Sequence, residues 1–347
     1  MSQEDPKAVQ SLLERHRLFW EGGEAREPLL RVDPGDDIIY PLRTTHLPPC
    51  GRPVQVGDLS FDAFWHRYRD SQLVPQGSSV FTFAYPYVGF PWLEAMLGLE
   101  VEVSSDRANI WTRHLTSPDW DALLALDVAD DNPWLLKLLA FVDELAQRGG
   151  GRFLVTPGHQ GGLPHGPSDL LAAVLGNERM SYELYDNPQK VQAFLLRMTD
   201  VWIKVVRRVL EHIPPFHGGY ANGYGVWAPG PAPIWLEDAL LFFSPRNYER
   251  FLRACDEKAF AAFPYCGMHV HSGGAQVLDR LLEMENLRCV QLAWDSSGPP
   301  LDELLQMCRR IQERKPLILA GRFTPAERQE VLQTVSPRGF CFLPRTA

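Results

Sequence analysis

The sequence has no apolar run of the roughly 18 to 20 residues that a membrane-crossing helix needs. The nearest stretch, around Ala239 to Phe243, is short and reads as ordinary core. Lysine and arginine are never concentrated: 34 basic against 43 acidic residues leave a net charge of -9, which argues against a surface for nucleic-acid phosphates. Cysteine is scarce, and the six present (Cys50, Cys255, Cys266, Cys289, Cys308, Cys341) show neither zinc-ribbon pairing nor the density of a disulfide scaffold. The first residues, with Glu4, Asp5 and Lys7, lack the apolar centre of a secretory signal. These absences lead to the expectation of a cytoplasmic protein that acts on a small molecule, with no nucleic-acid or membrane partner.

Two enzyme chemistries also lack their motifs. A serine nucleophile elbow, Gly-x-Ser-x-Gly, is absent. No glycine-rich phosphate turn opens a helix, because Gly158-His159-Gln160-Gly161-Gly162 stands apart from any immediate helical pattern. Internal repeats and low-complexity tracts are missing as well.

What is present is a chain of 347 residues, 45% hydrophobic, long enough for one large domain or two ordinary ones. Apolar spacing predicts an opening helix over Ala8 to Trp20, stopped by Gly22-Gly23, followed by an irregular Pro- and Gly-rich segment from Asp33 to Gly57. Short apolar runs then recur between helix-like segments: Pro28–Val32, Val80–Ala84, Arg152–Thr156, Gly218–Asn222, Met268–Ser272, Cys289–Trp294, Leu317–Gly321 and Phe340–Leu343. Helices are predicted over 133–147, 188–212, 244–260, 275–285, 300–314 and 325–334. Continuous Val, Ile, Leu and Phe runs suit parallel strands buried on both faces. The fold class expected is therefore α/β, as a (β/α)8 TIM barrel with an N-terminal helical and irregular extension. Residues 1–75 form the extension and 76–347 the barrel, in one structural unit. An open doubly wound sheet is the alternative, disfavoured by the missing phosphate turn.

A parallel barrel does its chemistry where strands end. The second predicted strand is followed by Tyr85, Tyr87, Trp92 and Glu94, the third by His159, and the fourth by Asn222, Tyr224 and Trp227. The fifth carries His269 and His271, the sixth ends at Asp295, the seventh at Arg322 and the eighth at Arg345. Alternation puts His269 and His271 on one face, where they could share a metal ion or a substrate. Zinc suits them, with a carboxylate such as Glu94, Asp238 or Asp295 as a further ligand. The plainer reading is hydrogen bonding to substrate or neighbouring polar groups. His269, His271 and Asp295 are the candidate catalytic residues, Asp295 equally suiting a helix cap. Arg322 and Arg345 suit a substrate carboxylate or a structural ion pair. The aromatic stretch from Tyr85 suits a ligand wall or simple core packing. Cys266 precedes its strand, at the end away from the chemistry, so a cysteine nucleophile is not expected.

The stretch Gly166 to Gly176 (GPSDLLAAVLG), Leu184-Tyr185-Asp186-Asn187-Pro188, Trp227 with Glu237-Asp238 leading to Phe243-Ser244-Pro245, and His269-Val270-His271-Ser272-Gly273 resemble the uroporphyrinogen decarboxylase superfamily from about Pro75 onward. The resemblance implies the (β/α)8 barrel, a homodimer, and either decarboxylation or corrinoid-dependent methyl transfer. The decarboxylase branch grips carboxylates with an arginine-rich amino-terminal motif, whereas here Pro28 to Asp33 holds the single Arg31. The methyltransferase branch holds zinc through a His-x-Cys pair and a late Cys, and His269-Val270-His271 and Thr346 stand at those places. The leading expectation is methyl transfer or related chemistry on a small organic substrate, with zinc as cofactor and a corrinoid protein as partner. The alternatives are a decarboxylase of a tetrapyrrole or smaller carboxylic acid, and a non-catalytic ligand or corrinoid-protein binding barrel.

Overall fold

The computed structural model describes residues 6–31, 46–106, 109–115, 118–158, 163 and 165–346. Its strands are β1 (Leu29–Leu30), β2 (Phe83–Ala84), β3 (Val101–Val103), β4 (Ile110–Thr112), β5 (Leu154–Val155), β6 (Tyr220–Ala221), β7 (Trp227–Ala228), β8 (Ile234–Leu236), β9 (Gly267–His271), β10 (Cys289–Trp294), β11 (Leu317–Phe323) and β12 (Phe340–Thr346). Six of them form one parallel sheet in the order β1-β12-β11-β10-β9-β8, with helices between successive strands, so the fold is α/β. A second parallel pair joins β2 to β5, and β3–β4 and β6–β7 are antiparallel hairpins.

The sheet is apolar on both faces, and the faces belong to different cores. Ile318, Ala320, Cys341 and Leu343 join one cluster with Leu29, Ile234 and Cys289. Their alternate neighbours Leu317, Leu319, Phe340 and Phe342 join the larger cluster that includes the helices. Strand alternation produces this split directly. It also explains why these strands read as unbroken apolar runs.

Local signals set the helices. Pro133–Gly149 starts at Asn132, whose side chain accepts from the amides of Trp134 and Leu135, and ends at Gly150 with φ 56. Pro325–Thr334 carries a reciprocal cap between Thr324 and Glu327. The first helix, Pro6–Glu21, buries Val9, Leu13, His16, Phe19 and Trp20. His16 is fully buried between Ser79 and Trp227: Nε2 donates to Ser79 O at 3.1 Å and Nδ1 accepts from Trp227 N–H at 3.0 Å. Trp20 Nε1 donates to Trp227 O at 2.7 Å. Among the described residues no helix is long and apolar enough to cross a membrane.

The architecture departs from the sequence expectation at one strand. The Gly218–Asn222 run is not parallel; its residues 220–221 pair antiparallel with β7. Gly225 at φ 77 and the Asn222 side chain, which accepts from the amides of Tyr224 and Val226, turn the chain back at once. The neighbour of β9 is instead β8. Pro231 and Pro233 disguised it, since proline donates no backbone hydrogen bond. Here only their carbonyls are needed, accepting from Tyr265 and Gly267. The predicted helix over 275–285 is a 3-10 turn, Ser272–Val277, followed by the short helix Leu278–Leu282.

Candidate active site

β9 presents His269 and His271 on one face, and sheet register sets Gln291 of β10 beside His269. The two imidazoles are perpendicular, with ring centres 4.7 Å apart. His269 is buried. Its Nδ1 meets the Gln291 side-chain oxygen, which can only accept, so Nδ1 carries the proton and Nε2 is left as an acceptor. The Tyr224 hydroxyl donates to the same oxygen at 2.7 Å. His271 Nδ1 donates to Asp295 Oδ1 at 2.8 Å. Ser272 Oγ, in turn, lies 3.3 Å from Asp295 Oδ2.

The remaining nitrogen of each ring faces one carboxylate. Asp238 Oδ1 lies 3.1 Å from His271 Nε2 and 3.6 Å from His269 Nε2. One ligand atom from each of Asp238, His269 and His271 falls within 4.8 Å of the others. Desolvation opposes the charge on Asp238, but His271, His269 and His165 outweigh it and hold its pKa down at about 2. The hydrogen bond to Asp238, with that to Asp295, raises His271 to about 9 against its own burial. Burial pushes His269 the other way, below the usual histidine range.

A cleft of about 320 Å³ opens next to this cluster, lined by Glu94, His165, Asp169, Asp238, Trp111 and Phe242 among others. Glu94 is 2% exposed, and its Oε1 accepts from His165 Nδ1 at 2.5 Å. Burial opposes the His165 charge, yet the Glu94 carboxylate prevails and lifts its pKa to about 10. Asp169 Oδ1 accepts from Ala239 N–H at 2.7 Å. Burial, with Asp238 adding to it, raises Asp169 to about 7. Glu94 Oε2 and Asp169 Oδ2 are both buried without a hydrogen-bond partner.

Behind the cleft lies a second acidic pair. Glu237 Oε2 accepts from the amide of Ser168 at 2.9 Å and from its hydroxyl. Asp256 accepts from Trp235 Nε1 at 2.9 Å and from the Tyr248 hydroxyl at 2.8 Å. Burial raises both carboxyls, Asp256 to about 7.

The structure thus brings together His269, His271, Asp295 and Tyr224, with Glu94 in the adjoining cleft. Tyr85 is buried near Glu94 with its hydroxyl unpaired. Tyr87 spends its hydroxyl on the backbone of Ser60 and on His46, and buried Trp92 donates to Pro86 O at 3.1 Å. Asn222 shapes the turn carrying Tyr224, while Trp227 is bound to His16 and Trp20. Arg322 donates to Thr346 O at 3.2 Å; Arg345, opposite it in register, has a buried Nε without a partner. His159 lies outside the described residues. Cys266 is buried, and burial raises its thiol well above the usual range. Sequence reasoning missed His165, Asp169 and Gln291. A glutamine inside the apolar run Cys289–Trp294 was the available signal for the last of these; His165, in a Gly- and Pro-rich stretch, offered none.

No family model matches the sequence, and no curated protein matches it. Among solved structures, a methyltransferase from Methanosarcina mazei is similar over 97% of this chain and 93% of its own, with a TM-score of 0.62 and 12% identity. The likeness is one of fold.

Proposed function

We propose that the chain is a metal-dependent enzyme of methyl-transfer type, acting on a small organic substrate at the mouth of a closed (β/α)8 barrel. Closure is supported at both sheet edges. Ser79 N–H donates to Leu30 O at 2.7 Å beside β1, and His165 bridges in parallel to Leu236 of β8. With β2 and β5 between those links, the six-stranded sheet and this pair make up the eight parallel strands that the reading requires, the first of them within residues 1–75. The resemblance to the uroporphyrinogen decarboxylase superfamily and the methyltransferase neighbour both fit this architecture.

One observation carries the functional reading. Gln291 and Asp295 each occupy one nitrogen of a histidine and leave the other facing Asp238. Carboxylate or amide support behind a histidine is how a metal-ligating ring is oriented. A set of two imidazoles and one carboxylate suits zinc, which would supply a Lewis acid with a position open to substrate. His269, His271 and Asp238 would hold it. Arg345 then serves an anionic group of the substrate or carrier at the opposite side of the mouth.

Elemental analysis of freshly purified protein tests the metal, beside the His269→Ala, His271→Ala double variant and Asp238→Asn. Near-stoichiometric zinc, lost in both variants, is the expected result; metal-free wild type sinks the reading. A corrinoid protein as methyl carrier and a homodimer belong to the same proposal. Demethylation of methylcobalamin and the mass in solution test these.

A further inference from the structure

We propose that the cleft beside the histidines receives the cationic end of the substrate, a small ammonium or amidinium group with N–H donors. This inference rests on reading that face as an active site, and it narrows the substrate class.

The two buried polar atoms left without a partner among the residues lining the cleft are both carboxylate oxygens. Glu94 Oε1 is taken by His165, and Asp169 Oδ1 by the amide of Ala239. Glu94 Oε2 and Asp169 Oδ2 remain buried and unpaired. A buried carboxylate oxygen without a donor is costly, so a ligand supplying two charged N–H groups would satisfy both oxygens. An anionic ligand would instead set its own oxygens against Glu94 Oε2 and Asp169 Oδ2. The cation His165 lines the cleft but is already paired with Glu94, and among the described residues no lysine or arginine lines it.

The walls agree with the charge. Trp111 and Phe242 line the cleft yet stay 55% and 48% exposed. Indole and phenyl faces attract a cation and shed water from alkyl groups attached to it. A volume of about 320 Å³ holds a molecule of a few carbons around that nitrogen.

Three probes of similar size at matched ionic strength test the proposal: propylammonium, 1-propanol and propionate, followed by saturation-transfer NMR and by thermal shift. Wild-type protein should bind propylammonium at least tenfold more tightly than the other two. Glu94→Gln should weaken it tenfold and Trp111→Ala severalfold; Trp111 is exposed, so its loss leaves the fold intact even where Glu94→Gln does not. Equal or tighter binding of propionate, no binding of any probe, or propylammonium binding unchanged in Trp111→Ala and a folded Glu94→Gln would overturn it. Zinc measured on the same samples separates the two readings: ammonium binding without zinc upholds this inference and removes the metal, and zinc without ammonium binding does the reverse.

Discussion

The Tyr224 hydroxyl donates to Gln291 Oε1 at 2.7 Å, and the same oxygen accepts from His269 Nδ1. A residue from the β6–β7 hairpin thereby helps fix the tautomer of a histidine on β9. Gln291→Leu removes the acceptor and should weaken zinc binding by about 10- to 100-fold. Tyr224→Phe leaves the His269–Gln291 bond in place and should cost less. Chelator competition ranks the two, and the opposite order would remove Gln291 from the supporting role.

Stability should fall with acid because of His16. Burial, with Arg15 adding to it, drives its pKa to about 3, against about 6.5 in the unfolded chain. The unfolded state takes up the proton first, so stability is lost as pH drops from about 6.5 toward 3, by about 2 kcal/mol at pH 5. In His16→Gln the urea midpoint should be lower at pH 7 and should change less between pH 7 and pH 5. An unchanged slope would exonerate His16.

Glu237 should act in the opposite sense. Its folded pKa is raised by burial and by Asp256 and Asp169, so its stabilising contribution is full below about 4.5 and is lost as pH rises. Glu237→Gln removes that loss while keeping an acceptor for Ser168. The variant should melt higher than wild type at pH 7.5, with the difference closing near pH 4.5. A variant less stable at pH 7.5 would show that the carboxylate is favourable there.

Two glycines with positive φ should respond differently to alanine. Gly89, at φ 83, has open space where a Cβ would go, so Gly89→Ala meets only backbone strain of about 1 to 2 kcal/mol. At Gly225, at φ 77, the Cβ would lie 2.2 Å from Phe81 O. That backbone cannot yield without breaking the Phe81–Gly225 hydrogen bond, and the cost should exceed about 3 kcal/mol. Denaturant melts of both variants check the difference.

How much of this was readable in advance depended on whether a signal was local. Cys289–Trp294 and Pro325–Thr334 match the sequence expectation residue for residue, because an apolar run and a proline-led cap are local facts. The shared face of His269 and His271 follows from strand alternation alone. β8 was hidden because a rule about prolines in strands fails where only their carbonyls are used. Asp238 was one carboxylate among three candidates, and only the chain's course after β8 sets its Oδ1 near both histidines. The Glu94–His165 pair spans 71 positions, and no spacing rule reaches that far.

The pairing of β1 with β12, Leu29 against Cys341, has a consequence for the order of synthesis. Leu29 gains this main-chain partner only once Cys341, 312 positions further along the chain, has been made. Until then the edge of Leu29 and Leu30 that faces β12 is unclaimed, and the Pro6–Glu21 helix waits for Trp227. A nascent chain therefore carries apolar surface on this helix and strand while the intervening residues are made, an interval in which a chaperone has much to shield.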